Sequence, residues 1–180
     1  MSSFEQEIYK WYLENKRDLP WRKTTDPYKI WISEIILQQT RVAQGISYYN
    51  RFIEEFPTAF DLANASEDNV LKLWQGLGYY TRARNLSFTA KDIVSNHNGI
   101  FPNDFKTILS LKGIGNYTAA AIASIAFGLP YAAVDGNISR VISRYYGILT
   151  PIDSNIGKNE IQKIASDLIS NNNAGLHNQA

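Results

Sequence analysis

One stretch decides the fold that we predict: Leu111-Lys112-Gly113-Ile114-Gly115-Asn116-Tyr117-Thr118-Ala119. Two glycines separated by one apolar residue join two segments of helical periodicity, 103–110 and 116–127. Glycine permits a positive φ and a close approach of the backbone, so the amides of Gly113 and Gly115 would point outward at the start of the second helix. Such a turn can bind a phosphate oxygen without net positive charge. An ordinary corner between two helices, packed around the central isoleucine, explains the pattern equally well.

The rest of the chain also has the periodicity of short helices. Apolar residues recur at helical spacing, and no sustained alternation of period two indicates a β-strand. We predict about nine or ten helices, which begin near Phe4, Pro27, Arg41, Ser66, Tyr80, Asn103, Asn116, Asn137 and Gly157. The predicted fold class is therefore all-α.

Composition excludes several kinds of site. The 180 residues contain no cysteine, which rules out a disulfide scaffold, a thiolate nucleophile and a Cys-ligated zinc or iron–sulfur centre within them. With only two histidines, we predict no metal ligands. The first residues lack the basic and apolar regions of a secretory signal, and the longest apolar stretch, Ala119 to Val134, is too short to span a bilayer. We expect a cytoplasmic protein that does not bind membranes.

Charge is divided unevenly along the chain. Residues 72–144 hold eight basic and three acidic side chains, a net +5, whereas residues 1–71 and 145–180 carry −3 and −1. No acidic residue lies between Lys72 and Lys91. A basic middle suits a surface that faces a polyanion, although a solvated, arginine-rich helix face would give the same pattern.

Two carboxylates are candidate catalytic groups. Glu34 lies among aliphatic residues in Trp31-Ile32-Ser33-Glu34-Ile35-Ile36-Leu37, with no basic residue three or four positions away. In an apolar pocket its pKa would be raised and it could act as a general acid; on a polar helix face it would only bond Gln38. Asp135, in Val134-Asp135-Gly136-Asn137, is first of all a helix N-cap, and alternatively an ionised carboxylate at a helix start beside a cleft.

A fourth motif combines glycines, tyrosines and arginines: Gly76-Leu77-Gly78-Tyr79-Tyr80-Thr81-Arg82-Ala83-Arg84. Aromatic rings can wedge into a base stack, and arginines can neutralise phosphates. A helix start with the tyrosines packed inward and the arginines in solvent would have the same sequence.

Together these motifs resemble one family in order and spacing. The chain is similar to the catalytic part of the MutY-type adenine DNA glycosylases, which belong to the helix–hairpin–helix DNA glycosylase superfamily. The resemblance extends from Leu19-Pro20-Trp21-Arg22 to Asn178-Gln179-Ala180. Its most specific runs are Ser33-Glu34, Leu37-Gln38-Gln39-Thr40, Gly76-Leu77-Gly78-Tyr79-Tyr80 and Val134-Asp135-Gly136-Asn137.

The resemblance implies a role for each matching residue. Glu34 would protonate the flipped adenine and Asp135 would stabilise the cationic sugar, with support from Tyr117 and Asn137. The residues around the extruded base would be Trp21, Arg22 and Val42, with Arg17 beside them. The residues that enter the duplex beside 8-oxoguanine would be Gln39, Thr40 and Tyr79. The other DNA contacts would be Arg82, Arg84, Gly113 and Gly115. The backbone carbonyls of the hairpin that contains the two glycines would also be a candidate site for a monovalent cation.

The implied activity is hydrolysis of the N-glycosidic bond of adenine mispaired with 8-oxoguanine or guanine in double-stranded DNA, a step of base excision repair. Adenine is a poor leaving group as an anion, so a neutral Glu34 and an ionised Asp135 would both be needed. In endonuclease III relatives, a lysine two residues after the second hairpin glycine forms a Schiff base and adds strand cleavage. That position is Tyr117 here, and because a phenol cannot form an imine, we predict a monofunctional glycosylase.

The chain departs from the family at its end. In the family, the run that begins as Asn178-Gln179-Ala180 leads to four cysteines that ligate a [4Fe–4S] cluster, and to a C-terminal domain that helps to recognise 8-oxoguanine. Either this chain is a fragment or these parts have been lost, and the abrupt end favours a fragment. We therefore expect exposed apolar surface around Ile8, Trp11 and Ile164, reduced stability, weaker duplex binding and reduced or absent activity.

The resemblance also implies two helical lobes with a cleft between them. Residues 21–134 would form a six-helix-barrel-like lobe with the hairpin at about 103–127, and residues 1–20 and 135–180 an incomplete second lobe. We expect a bacterial, DNA-associated monomer, with dimers through exposed apolar surface as the alternative.

Two other functions stay open: a catalytically silent DNA-binding module that uses the hairpin and residues 72–91, and a relative that acts on thymine opposite guanine.

Overall fold

The computed structural model describes residues 3–169 and 171–180, so Met1, Ser2 and Ser170 of the predicted second lobe lie outside it. The described residues form eleven α-helices and one 3₁₀ helix, Pro20–Lys23, and none of them forms a β-strand. The helices are α1 (Ser3–Asn15), α2 (Pro27–Leu37), α3 (Val42–Glu55), α4 (Ala59–Asn64), α5 (Glu67–Trp74), α6 (Thr81–His97), α7 (Phe105–Ser110), α8 (Asn116–Phe127), α9 (Gly136–Tyr146), α10 (Asn155–Leu168) and α11 (Ala174–Gln179). The all-α prediction is confirmed.

Helix α2 lies at the centre of the main core. Asp26 caps it by accepting a hydrogen bond from the amide of Tyr28 (2.9 Å), and Pro27 suits the first turn, where no amide donor is needed. Seven of its eleven residues are buried, against α3 on one side and α8 on another. A helix that is apolar nearly all round belongs in a core. Glu34 is the one ionisable residue in its second half, so α2 carries a carboxyl group into apolar surroundings.

Helix α8 packs closely on α2 because its buried face consists largely of alanines, which include Ala119, Ala120, Ala121 and Ala123. The turn that precedes α8 is anchored by Leu111 and Ile114, both buried in the main core. Burial of such side chains stabilises the fold by about 1.5–3 kcal/mol each. The hairpin formed by α7, this turn and α8 is therefore attached firmly to the helix that carries Glu34.

A separate apolar cluster joins α9 to α10. Ile142, Ile161 and Ala165 are buried there, whereas the main core lies between Leu19 and Ala123. The two lobes that we predict, with boundaries at residues 21 and 134, stay a prediction. No helix in residues 3–169 and 171–180 has both the length and the hydropathy needed to cross a bilayer.

The structure corrects the prediction for three of the helices. Helices α4 and α11 were not predicted, although Thr58 and Asp61 form a capping box that indicates α4 in the sequence. Helix α10 begins at Asn155, two residues before the predicted start at Gly157.

The predicted exposed apolar surface is correct for only one of its three residues. Trp11 is 60% exposed. Ile8 is half-buried because it lines a cavity, and Ile164 is half-buried because it packs on the cluster between α9 and α10.

Candidate active site

A cavity of about 510 Å³ opens between helices from both ends of the chain. Its volume is in the range of small-molecule binding sites. Its lining includes every residue that we predicted for catalysis or for the base pocket: Arg17, Trp21, Arg22, Glu34, Val42, Tyr117, Asp135 and Asn137. These residues come from parts of the chain that are more than a hundred positions apart, so the fold itself brings them together.

Glu34 presents its carboxyl group to this cavity from α2. Burial raises the pKa of Glu34 to about 7, with a smaller increase from the negative charge of Asp135 and an opposing decrease from an interaction with the hydroxyl of Tyr117. Burial also raises the pKa of Tyr117, so its phenol stays neutral. Near neutral pH a large fraction of Glu34 is therefore protonated, as a general acid must be.

Asp135 lies in the opposite kind of environment. Its carboxylate caps α9 and accepts hydrogen bonds from the amides of Asn137 and Ile138, both at 2.8 Å, and from the side-chain amide of Asn137 at 3.0 Å. Three hydrogen-bond donors thus hold this carboxylate at the N terminus of α9. Arg140 in turn donates to the side-chain oxygen of Asn137. Asp135 is thus both the N-cap and the cavity carboxylate that the sequence offered as alternatives.

The predicted base pocket is lined by aromatic and cationic side chains. Trp21 is buried, and its ring lies edge-on to Tyr49 with the ring centroids 5.3 Å apart. The guanidinium of Arg22 lies 5.2 Å from the centre of the Tyr12 ring. These contacts fix the 3₁₀ helix against α1 and α3, so that this wall of the cavity is built before any ligand enters.

Sequence reasoning missed Asn178, which organises the segment that leads to Asp135. Its amide nitrogen donates to the hydroxyl of Ser124 (2.7 Å) and to the carbonyl of Tyr131 (2.8 Å), and its oxygen accepts from the amide of Ala133 (3.0 Å). One side chain on α11 therefore joins α8 to the segment two residues before Asp135. The only signal in the sequence was its place in the final run of the resemblance.

His177 is a second missed residue of the cavity lining. Its Nδ1 lies 3.3 Å from the hydroxyl of Tyr9. Burial lowers the pKa of His177, partly offset by Glu5. The imidazole is therefore neutral at pH 7, and it adds no positive charge beside the two carboxyl groups.

The hairpin turn uses its two glycines differently. Gly113 has φ +80°, and a Cβ atom there would lie 2.8 Å from the side chain of Asn85. Gly115 caps α8 with φ −95°, and a Cβ atom there would meet nothing within 4 Å. Only Gly113 therefore uses the positive φ that glycine permits. A hydrogen bond from Thr89 to the carbonyl of Lys112 (2.8 Å) holds the turn against α6.

Gln39 and Tyr79 lie outside the cavity lining, in two neighbouring loops. Both have a left-handed backbone, with φ +57° and +46°, which is uncommon for residues other than glycine and marks a constrained site. Tyr79 is 68% exposed and Gln39 is also exposed. Thr40 is half-buried beside Gln39 and donates to the carbonyl of Gln38 (3.4 Å). We refer to residues 38–40 and 77–80 as the wedge loops.

The two arginines of the fourth motif have different surroundings. Arg84 is exposed and pairs with Glu67 at 2.9 Å. Arg82 is half-buried, and its two terminal nitrogens donate to five backbone carbonyls. The prediction that Arg82 contacts DNA phosphates is therefore not supported, because its donors face the protein backbone.

The residues of this chain do not fit an iron–sulfur cluster. Such a cluster requires thiolate ligands, and the chain has no cysteine. In the described part of the chain, no group of histidine and carboxylate side chains could hold a metal ion either.

Comparisons with known proteins identify the family. Residues 32–169 match the family described as HhH-GPD superfamily base excision DNA repair protein. The chain is 48% identical to an adenine DNA glycosylase of Buchnera aphidicola subsp. Baizongia pistaciae, over 89% of this chain and 44% of that protein. It is 40% identical to the adenine DNA glycosylase of Homo sapiens, over 100% of this chain and 35% of that protein. The chain thus spans about half or less of the length of these relatives.

Solved structures show the same architecture. The structure of a thermostable thymine-DNA glycosylase has a TM-score of 0.89 and 31% identity, over 98% of this chain and 81% of that one. A non-covalent endonuclease III–DNA complex has a TM-score of 0.80 and 23% identity, over 97% of this chain and 79% of that one, which supports the fold. Because the family match covers more than half of the residues, this chain belongs to the HhH-GPD superfamily of base excision DNA repair proteins.

Proposed function

We propose that the chain carries the catalytic part of a DNA glycosylase that hydrolyses the N-glycosidic bond of adenine opposite 8-oxoguanine or guanine. One observation carries the proposal: two carboxyl groups share a cavity, that of Glu34 with a pKa raised to about 7 by burial and that of Asp135 held by hydrogen bonds at the start of α9. Paired acids of this kind divide the roles of proton donor and charge stabiliser. The adenine DNA glycosylase relatives, at 40% and 48% identity, support adenine as the base.

In the proposed reaction, neutral Glu34 transfers its proton to a ring nitrogen of the flipped adenine. The bond between the sugar C1′ and the base then breaks, and its electron pair leaves with the base as neutral adenine. Ionised Asp135 stabilises the oxocarbenium-like sugar until water adds to C1′. The proton that this water loses passes to solvent, from which the Glu34 carboxylate is protonated again. Asn137 holds Asp135 in place, and Tyr117 contacts Glu34, so both support the reaction without exchanging a proton with the base.

Monofunctional chemistry is part of the proposal. Strand cleavage through a Schiff base needs an amine nucleophile at the reacting carbon. Tyr117 occupies the position where the bifunctional relatives carry a lysine, and its raised pKa keeps the phenol protonated. The cavity lining given by the structure contains no lysine. Borohydride should therefore trap no covalent complex between this chain and DNA.

Base flipping would take place at the wedge loops and the hairpin. The adenine must leave the stack to reach the cavity, at a cost of a few kcal/mol that is lower for a mispaired base. Exposed Gln39 and Tyr79 would enter the duplex and offset part of that cost. Helix α8 begins without a side-chain cap, so its first amides could bind a DNA phosphate beside Gly115. The proposed partner is double-stranded DNA, bound by a cytoplasmic monomer.

Thymine opposite guanine is the second candidate substrate, because the thymine-DNA glycosylase structure is similar over most of both chains. Its 31% identity is lower than the 40% and 48% of the adenine DNA glycosylase relatives. A carboxylic acid donor also suits adenine, whose ring nitrogens accept protons. We therefore place thymine second.

Single-turnover release of the base tests the proposal. Duplexes with adenine opposite 8-oxoguanine, adenine opposite guanine and thymine opposite guanine would be incubated with excess protein, and abasic strands detected by alkaline cleavage. We expect product from the two adenine duplexes and a loss of at least about 10³-fold in Glu34→Gln. Product from the thymine duplex alone would reverse the assignment. Binding without any product would identify the chain as a silent DNA-binding module.

A further inference from the structure

Arg82 occupies an unusual position between the two wedge loops. Its Nη1 donates to the carbonyls of Ile35 (2.9 Å), Ile36 (3.3 Å) and Gln38 (2.5 Å), at the end of α2 and the start of the first loop. Its Nη2 donates to the carbonyls of Leu77 (3.1 Å) and Gly78 (3.3 Å) in the second loop. One planar guanidinium thus joins two segments that are about forty positions apart in the sequence.

The surroundings of Arg82 favour a fixed position. The guanidinium lies 5.1 Å from the centre of the Trp74 ring and 5.7 Å from that of Tyr79. Trp74 also donates to the carbonyl of Gly78 (3.0 Å), so this carbonyl has two partners. The Nε of Arg82 is buried and has no hydrogen-bond partner within the described residues. A side chain with these constraints cannot turn outward to a phosphate without leaving several carbonyls unpaired.

In each wedge loop, the residue with a left-handed backbone comes directly after a residue whose carbonyl accepts a hydrogen bond from Arg82. Gln39 comes one residue after the carbonyl of Gln38, and Tyr79 comes one residue after that of Gly78. Sparsely populated backbone conformations persist only where the surrounding structure determines them. Arg82 binds the residue before each of the two, and it is therefore in a position to hold both conformations at once.

We propose that Arg82 is a positioning residue that locks the two wedge loops into one unit, so that Gln39 and Tyr79 enter DNA together. A lysine cannot replace it, because one ammonium group with three donors cannot span two sets of carbonyls as a guanidinium fork does. Only one part of this inference, the joint entry of Gln39 and Tyr79 into DNA, rests on the proposed function. Its structural part, the coupling of the loops, stands by itself.

Hydrogen exchange tests the coupling without any catalysis. The amide of Thr40 donates to the carbonyl of Leu37 (3.2 Å), and that of Leu77 to the carbonyl of Trp74 (3.0 Å), so each loop has a reporter. In the wild-type chain the two amides should have the same free energy of opening, and in Arg82→Lys both should exchange at least about tenfold faster. The amide of Lys158 in α10 serves as the reference and should not change. Unequal opening in the wild type would overturn the proposal, even if the variant does not fold.

Substrate choice then separates positioning from a direct DNA contact. In single-turnover assays Arg82→Lys should be about tenfold or more slower on adenine paired in a duplex, but less than about threefold slower on adenine in an unpaired loop, which needs no extrusion. Equal losses on both substrates, or full activity with lysine, would overturn the proposal. Lys163→Met removes a charge from an exposed position of α10, outside the cavity lining, and should change the rate on neither substrate.

The salt dependence of duplex binding gives the last readout. If Arg82 bound a phosphate, Arg82→Met would reduce the slope of log affinity against log salt by about one, and we expect no such change. A reduced slope would assign Arg82 to the phosphate backbone instead. Inactivity of the wild-type chain on both substrates would contradict the proposed function, and the exchange data would still decide the coupling.

Discussion

The cavity and the wedge loops differ in how the chain builds them. The cavity draws its lining from helices at both ends of the chain, and its two carboxyl groups lie in ordinary helical or capping positions. The wedge loops come from two short segments, each with a left-handed residue, joined by one side chain. In the cavity, function follows from solvation and charge; in the wedge loops, it follows from backbone conformation.

This difference has an energetic consequence. A left-handed residue other than glycine costs on the order of 1–3 kcal/mol, and two of them lie in the wedge loops. The cavity holds a carboxyl group whose ionisation is opposed by burial. Both regions thus reduce the stability of the fold, the wedge loops through backbone conformation and the cavity through a buried carboxyl group. Substitutions in one region should change the chemistry, and substitutions in the other should change DNA opening or binding.

After Glu34→Gln, the largest effect should come from Asp135→Asn. Asparagine caps a helix as well as aspartate does, so α9 should keep its start and the melting temperature should change little. The charge beside the reacting sugar is lost, and we expect the single-turnover rate to fall by about 10²–10³-fold. Asp26→Asn is the matched control, because Asp26 caps α2 outside the cavity lining, and it should retain nearly full activity. A rate for Asp135→Asn within about threefold of the wild type would show that the charge is not used.

The pH profile should then distinguish the cavity from the wedge loops. A general acid must be protonated, so the rate should be high below the pKa of Glu34, about 7, and fall as the pH rises through it. Tyr117 lowers this pKa, so Tyr117→Phe should move the falling limb to higher pH. The pH at which the rate falls would be measured in single turnovers between about pH 5 and 9. A change in this pH distinguishes a shifted pKa of Glu34 from a general loss of rate.

Two control variants accompany this prediction. Tyr131→Phe removes a hydroxyl outside the cavity lining and should leave the limb where it is. Arg82→Lys should lower the rate on paired adenine at every pH without moving the limb, because it acts on the wedge loops. A limb that stays in place in Tyr117→Phe would mean that the phenol does not influence the proton donor.

The sequence predicted the cavity better than the wedge loops, and the reason is physical. Glu34 and Asp135 have chemical identities and local settings, an apolar helix and a helix start, that a sequence displays directly. The roles of Arg82 and Asn178 depend on backbone carbonyls and amides, which every residue carries and no sequence distinguishes. An arginine in a basic stretch therefore suggested a phosphate contact, and only the fold turned it inward.

The helices show the same contrast. Periodicity predicted the long amphipathic and apolar helices, whose ends carry caps such as Asp26 or a following glycine such as Gly128. Helices α4 and α11 have six residues each, a length at which a periodic pattern is weak. Helix α7 is equally short, but the two glycines of the turn that follows it marked its place in the sequence. The left-handed conformations of Gln39 and Tyr79 could not be predicted either, since both residue types rarely adopt them.

The smallest effects should separate the two hairpin glycines. Gly113→Ala forces a side chain into a left-handed conformation and against Asn85, so we expect the free energy of unfolding in urea to fall by about 1–3 kcal/mol. Gly115→Ala has an allowed φ and open space, so its stability should stay within about 0.5 kcal/mol of the wild type.

The fold therefore requires glycine at 113 but not at 115, and the open space at Gly115 is where a DNA backbone would approach α8. Gly115→Ala should weaken duplex binding several-fold, while single-turnover rates at saturating protein stay close to those of the wild type. If Gly115→Ala binds duplex as tightly as the wild type, then no DNA backbone comes close to this position. The DNA-facing surface would then be limited to the wedge loops, and the uncapped start of α8 would need another explanation.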